Sequence, residues 1–205
     1  MSVDKIILRA FFTTLASIAI LFLFMLTTLV CVYPQTMMKI TYNLGMEKAS
    51  IWFAEISYDR SDDIYYIAYA TEVAIGQQDY AKINDCGETL IKADGFTDFC
   101  VYKDETSATV ELAYKEYLYG QVCIAKYERA LAAESSTAEA VDRAFALTEN
   151  AFPENNAVVA VLITALQRED APTVQTIREK MLNMQENGYE DDAYFQAILA
   201  LTESK

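Results

Sequence analysis

One uninterrupted apolar run near the start of the chain limits the folds that this sequence can adopt. The run extends from Ala10 to Tyr33 and contains no charged residue, no glycine and no proline. At about 1.5 Å per residue it would rise roughly 36 Å as an α-helix, which is enough to cross a hydrocarbon core of about 30 Å. The run therefore predicts a transmembrane anchor at residues 10–33 that contacts the lipid bilayer. Residues 34–205 contain no second run of this kind.

The charges on either side of the run favour one orientation in the membrane. Lys5 and Arg9 precede it in a short basic flank, residues 1–9, and the first basic residue after it is Lys39. Basic residues favour the cytoplasmic side of a membrane. We therefore expect a single-pass membrane protein with its N-terminus in the cytoplasm and its C-terminal domain outside the cytoplasm.

Two alternatives concern the same run. A cleaved signal peptide usually has an apolar core of about 7–15 residues followed by a small-residue cleavage site, and this run is longer and lacks such a site. A homo-oligomer through the anchor is the other alternative. Thr13 and Ser17, like Ala10 and Thr14, are small residues four positions apart, and this spacing lets two membrane helices approach closely.

The composition excludes several classes of function. The chain has a formal net charge of -14 and no histidine. The negative charge argues against nucleic acid as a partner and favours a basic protein, if charge takes part in binding. The absence of histidine removes the commonest general base and the commonest metal ligand. We therefore predict no enzyme, no catalytic residue, no cofactor and no metal site.

The four cysteines are isolated from one another in the sequence. Cys31 lies in the apolar run, and Cys86, Cys100 and Cys123 lie beyond it without a C-x-x-C pair. A disulfide between Cys86 and Cys100 and a set of free, buried thiols are both compatible with this spacing.

Residues 34–205 have the pattern of an all-α protein. Glycine and proline are scarce, and apolar residues recur at helical spacing. Short polar turns separate the predicted helices, so neighbours should pack antiparallel within one domain, residues 34–205. Residues 96–102 are expected to form a short apolar helix or turn. The longer predicted helices are 37–58, 64–76, 80–93, 108–133, 138–150, 156–168, 173–186 and 191–202.

One predicted pair of helices has a recognisable plan. In residues 67–94, the small residues Ala70 and Ala74 face the partner helix, and Gln78-Asp79-Tyr80 forms the turn. This span resembles a tetratricopeptide-type repeat, and the same helix–turn–helix plan recurs at 138–168 and 156–188. The resemblance implies a soluble array of helical hairpins with a concave face that holds a peptide or protein. An irregular helical bundle is the alternative fold.

Tyrosines are the candidate partner-binding residues. The chain has 14 of them, and they cluster on two predicted helices. Tyrosine provides a large contact area and is enriched at protein interfaces, although it also packs in cores with its hydroxyl near the surface. The candidate set is Tyr65, Tyr66, Tyr69, Tyr114, Tyr117 and Tyr119.

Clustered carboxylates are the candidate groups for a hydrolase. Asp62-Asp63, Asp98 with Asp104-Glu105, and residues 190–192 are the dense positions. A glycosidase needs two carboxylates within about 5–10 Å in a cleft, whereas acids at helix starts are favoured by the helix dipole alone.

We expect a protein-binding scaffold or assembly factor at the membrane surface. An accessory subunit of a larger membrane complex and a membrane-tethered hydrolase are the alternatives.

Overall fold

A computed structural model of the chain describes residues 3–106, 113–148, 156–185 and 192–203, with side chains described from Ile7 onward. Over these residues it contains eleven α-helices and no β-strand. The prediction of an all-α protein is confirmed. Whether the helices form a repeat array or an irregular bundle stays a prediction.

The chain divides into two compact units, residues 1–66 and residues 67–205, and the division falls within the fourth helix. The eleven helices are α1 (Val3–Val32), α2 (Pro34–Asn43), α3 (Glu47–Ser61), α4 (Ile64–Gln77), α5 (Tyr80–Lys92), α6 (Phe96–Thr106), α7 (Tyr114–Ala132), α8 (Ala138–Thr148), α9 (Ala157–Gln167), α10 (Ala171–Met184) and α11 (Ala193–Leu201).

The first helix is long and apolar enough to cross a membrane. Its segment Ile7–Val32 has a mean hydropathy of 2.7, and none of the apolar window within it is buried in the structure. The hydroxyls of Thr13 and Ser17 donate to the carbonyls of Arg9 and Thr13, at 2.7 and 2.9 Å. These polar groups are therefore satisfied inside the helix, as a lipid environment requires.

Helices α2 and α3 form a hairpin in the first unit, where a single helix over residues 37–58 was expected. Gly45 adopts φ +69° at the turn, a left-handed conformation that glycine reaches without a steric penalty. The hydroxyl of Ser50 on α3 donates to the carbonyl of Met38 on α2 at 3.0 Å, and both residues are buried. The chain thus reverses at this glycine, and the reversal divides the predicted helix into α2 and α3.

Helix α7 is at the centre of the second unit, where it packs against α5, α6, α8 and α9. Two glycines permit close approach of the helices around it. A Cβ added to Gly87 on α5 would overlap Cγ2 of Val122, and one added to Gly120 on α7 would lie 3.1 Å from Cβ of Ala160. The absence of a side chain at these two positions sets the distance between α7 and its neighbours.

We expect Gly87→Ala to destabilise the protein by about 1–3 kcal/mol, since valine is stiff at χ1 in a helix and Val122 cannot easily turn away. Gly76→Ala is the matched control. Gly76 also lies in a helix, but an added Cβ would meet nothing within 4 Å. It should leave stability unchanged or raise it by up to about 1 kcal/mol through helix propensity. Urea unfolding of the full chain in detergent, followed by circular dichroism, measures both; shifts of the same sign and size would contradict the packing argument.

Candidate functional site

A cluster around Lys103 connects three helices of the second unit. The ammonium of Lys103 on α6 lies 2.6 Å from Oε1 of Glu72 on α4. The hydroxyl of Tyr114 on α7 donates to the same oxygen at 3.0 Å. The ammonium also lies 5.3 Å from the centroid of the Tyr114 ring and 5.8 Å from that of Phe99, within cation–π range. We call these four residues the Lys103 cluster; it fixes α6 against α4 and α7.

The start of α7 is bound to α6 by a second contact. Oδ1 of Asp104 accepts the backbone N–H of Tyr114 at 2.6 Å. Burial, followed by the charge of Glu72, raises the pKa of Tyr114 and also that of Tyr117. Both tyrosines therefore keep their protons at neutral pH, so neither has the properties of a general base.

The structure separates the six candidate tyrosines by exposure. Tyr114 and Tyr119 are only 4% and 7% exposed, and the ring of Tyr119 stacks on Phe96 with centroids 6.0 Å apart. Their rings therefore belong to the core, which is one of the two placements that the sequence left open for tyrosine. Tyr117 is half-buried. That any of these tyrosines binds a partner stays a prediction.

The other three candidate tyrosines lie on α4. Tyr65 is 52% exposed and meets Tyr66 edge to face, with ring centroids 5.7 Å apart. Burial, with the charge of Asp63 adding to it, raises the pKa of Tyr66. Tyr69 is half-buried. Tyr65 and Tyr66 belong to the first compact unit and Tyr69 to the second.

Sequence reasoning missed the most exposed apolar residues of the second unit among those described. Val101 and Tyr102 on α6 are 52% and 59% exposed, whereas Phe96 and Cys100 on the same helix are buried. The sequence does contain a pattern that predicts this exposure. Apolar residues four positions apart, such as Phe96 and Cys100, define one face of a helix, and residues 101 and 102 lie outside that face. We call Val101 and Tyr102 the α6 surface.

A polar cleft of about 360 Å³ lies between α5, the end of α7 and the start of α8. Its cations are already engaged: Lys126 lies 2.8 Å from Glu139, and Arg129 lies 3.2 Å from Asp85. Oδ1 of Asn84 in its wall is buried without a hydrogen-bond partner among the described residues. Each of the two cations in the wall of the cleft is thus paired with a carboxylate.

Three of the described carboxylates from the dense acidic positions bind the start of a helix, although Asp104 itself lies in the last turn of α6 and Asp62 is the C-cap of α3. Asp63, Asp104 and Asp192 each accept a backbone N–H in the first turn of α4, α7 and α11, respectively. Glu190 and Asp191 lie outside the described residues. In the part of the chain that the structure describes, no group of three or more cysteine and carboxylate side chains is arranged to hold a metal ion.

Other carboxylates form ion pairs that connect distant helices. Both oxygens of Glu88 on α5 accept from the guanidinium of Arg143 on α8, at 2.9 and 2.8 Å. Oε1 of Glu128 on α7 accepts twice from Arg168, at 3.0 and 2.8 Å. The planar guanidinium of arginine can donate two hydrogen bonds to one carboxylate. These two ion pairs hold α5 to α8 and α7 to the end of α9.

All four cysteines are free thiols. Cys86, Cys100 and Cys123 are buried, and Cys31 is exposed. Of the two possibilities left open by the sequence, the structure has free thiols, without a bond between Cys86 and Cys100. Burial raises the pKa of Cys100 and of Cys123 to about 12 in each case. These two thiols hold their protons at neutral pH and behave as small apolar groups.

Comparison with known proteins assigns no family to the chain. No family model, no curated protein and no solved structure matches it.

Proposed function

We propose that the chain is a single-pass membrane protein whose helical body binds another protein and acts as a scaffold or assembly factor at the membrane surface. Helix α1 supports the anchor, because Ile7–Val32 combines the required length with exposed apolar side chains. Lys5 and Arg9 before it support an N-terminus in the cytoplasm and a body outside the cytoplasm.

The α6 surface is the observation that carries the proposal of protein binding. Val101 and Tyr102 are adjacent, whereas the other exposed large hydrophobic residues described in residues 67–205 are single and less exposed: Ile163, Leu182 and Leu201. The Lys103 cluster holds α6 in place, so these two side chains are presented from a fixed helix. An exposed aromatic and an exposed aliphatic residue at consecutive positions of one helix match the residue types that are found at the centre of an interface.

A tetratricopeptide-like array remains our proposal for the arrangement of the body. The turn between α4 and α5 supports it: Oδ1 of Asp79 accepts the backbone N–H of Lys82, and Gln78 before it has φ +54°. Ala70 and Ala74 on α4 are fully buried, in accord with small residues that face a partner helix.

Photo-crosslinking from the α6 surface tests the proposal. A photoreactive residue at position 102 of the full chain, in its native membranes, should give one discrete adduct with a second polypeptide. The same residue at Glu179, an exposed position on α10, is the control and should give none. The acidic substitution Val101→Glu should lower the yield of the adduct at position 102 at least tenfold. Equal adducts from positions 102 and 179, or no adduct from position 102, would contradict the proposal.

A further inference from the structure

The α2–α3 hairpin exposes an apolar surface directly after the membrane helix. The first residue of α2 is Pro34, only two positions beyond the end of α1. Five large apolar side chains of the hairpin are 41–68% exposed. We call them the hairpin surface: Ile40, Tyr42, Leu44, Met46 and Trp52.

These side chains are exposed because the two helices already bury their other faces. On α2 the buried residues include Met38 and Thr41, and on α3 they include Ile51 and Ala54. The spacing of three within each pair defines one face per helix. Trp52 follows Ile51 and stands outside that face. The hairpin surface thus remains exposed after the hairpin has packed, and its five large apolar side chains all fall within residues 40–52.

The charge of the hairpin differs from that of the rest of the chain. Its basic residues are Lys39, Lys48 and Arg60, and they balance its acidic residues, Glu47, Glu55 and Asp59. Before the hairpin, Asp4 is outnumbered by Lys5 and Arg9. Because the whole chain has a formal net charge of -14, the excess of acid lies entirely beyond residue 61. The hairpin itself has no net charge, so phospholipid headgroups do not repel it electrostatically.

Both ends of the hairpin are held at the end of α1. Helix α2 begins there, and the guanidinium of Arg60 on α3 donates to the carbonyl of Cys31 on α1. Helix α2 has 10 residues, so its far end lies about 15 Å from its start. A hairpin of this length, held at the end of a transmembrane helix, stays within reach of the bilayer surface.

We propose that the hairpin surface lies in the headgroup region of the bilayer beside α1. Tyr42 and Trp52 have the amphipathic rings that are enriched at membrane–water interfaces. Leu44 and Met46 at the turn would reach the boundary with the acyl chains, and the exposed Lys39 and Lys48 would lie among lipid phosphates. This inference rests on the proposed membrane anchor.

Trp52 gives a direct measurement, because it is the only tryptophan in the chain. The full chain is reconstituted into phosphatidylcholine vesicles, and flotation establishes that it is bound to them. Lipids with a nitroxide quencher near the headgroup should quench Trp52 emission at least twofold more than lipids with the quencher deep in the acyl chain. The emission should also be blue-shifted relative to free tryptophan, with weak quenching by aqueous acrylamide.

Two double variants test whether the quenching of Trp52 by lipid nitroxides depends on the hairpin surface. Leu44→Glu combined with Met46→Glu should at least halve the quenching by shallow nitroxide lipids and increase the quenching by acrylamide. Val101→Glu combined with Tyr102→Glu is the matched control, since it makes the same kind of change at two exposed apolar residues of α6. The control should leave Trp52 emission unchanged.

The possible results separate this inference from the proposed function. If the protein floats with the vesicles while Trp52 is quenched only by acrylamide, the anchor stands and the hairpin inference is overturned. If Trp52 is shielded from acrylamide and from both lipid quenchers, protein covers the hairpin surface, for example a second copy of the chain, and the inference is again overturned. If the protein does not float with the vesicles, the anchor and the inference fail together.

Discussion

Replacing Ile18 and Leu21 by aspartate is expected to move the full chain from the membrane pellet to the soluble fraction after alkaline carbonate extraction. Both residues lie near the middle of Ile7–Val32, and their side chains are 58% and 66% exposed. An aspartate at the centre of a membrane helix costs roughly 2.5–3.5 kcal/mol on insertion scales, so two cost about 5–7 kcal/mol. An anchor without a second span to compensate should not insert against that cost.

A pair of acidic substitutions outside α1 serves as the control for this experiment. Val101→Asp and Tyr102→Asp make the same kind of change at two exposed apolar positions of α6. That variant should stay in the pellet with the unmodified chain. Extraction of the unmodified chain by carbonate, or retention of the Ile18→Asp, Leu21→Asp variant, would contradict the anchor on which the proposed function depends.

Features that depend on neighbouring residues could be predicted from the sequence. The apolar run gives α1 because every residue in it favours the same environment, although the helix begins at Val3, before the predicted start at Ala10. The start of α5 at Tyr80 could be predicted because Asp79 is a favourable N-cap residue immediately before an apolar periodic segment. Each of these signals lies within a few residues of the structure that it specifies.

Features that depend on the surroundings of a helix could not be predicted in the same way. Periodicity assumes that a helix buries one face, and spacings of three and four residues predict that Tyr117 and Tyr127 lie on the same face of α7. Because α7 packs against four helices, it also buries Leu118 and Val122 outside that face. The buried positions of Tyr114 and Tyr119 follow from the same cause, since tyrosine suits a core and a surface equally well. The α6 surface escaped prediction because its exposure depends on what α6 packs against.

Contacts between distant parts of the chain are a further class that the sequence does not reveal. The hydroxyl of Tyr127 on α7 donates to Oδ2 of Asp170 at 2.9 Å, and the hydroxyl of Thr173 donates to the same oxygen at 2.6 Å. Oδ1 of Asp170 also accepts the backbone N–H of Thr173, which caps α10. A second hydroxyl contact, 2.6 Å from Thr173 to Thr137, extends the network to the start of α8. One carboxylate therefore joins three helices.

Replacing Asp170 by alanine should destabilise the protein by about 2–4 kcal/mol. Loss of an N-cap costs about 1 kcal/mol. The remainder comes from Tyr127, which is 0% exposed and whose hydroxyl would lose its acceptor; a buried donor without a partner costs about 1–3 kcal/mol. Burial, together with the hydrogen bond to Asp170, raises the pKa of Tyr127, so the hydroxyl is a neutral donor at pH 7. Urea unfolding of the full chain in detergent measures the loss.

Asp79→Ala is the matched control, because Asp79 also caps a helix, and among the described residues its carboxylate accepts only the backbone N–H of Lys82, at 3.2 Å. It should cost about 1 kcal/mol. In the Asp170→Ala background, the further change Tyr127→Phe should restore part of the lost stability, because it removes the unpaired hydroxyl while keeping the buried ring. Two results would contradict this argument. Asp170→Ala could lower the free energy of unfolding no more than Asp79→Ala does, or Tyr127→Phe could lower it equally in the unmodified chain and in the Asp170→Ala variant. In either case the hydroxyl of Tyr127 does not depend on the carboxylate of Asp170. The network would then contribute only a helix cap for α10.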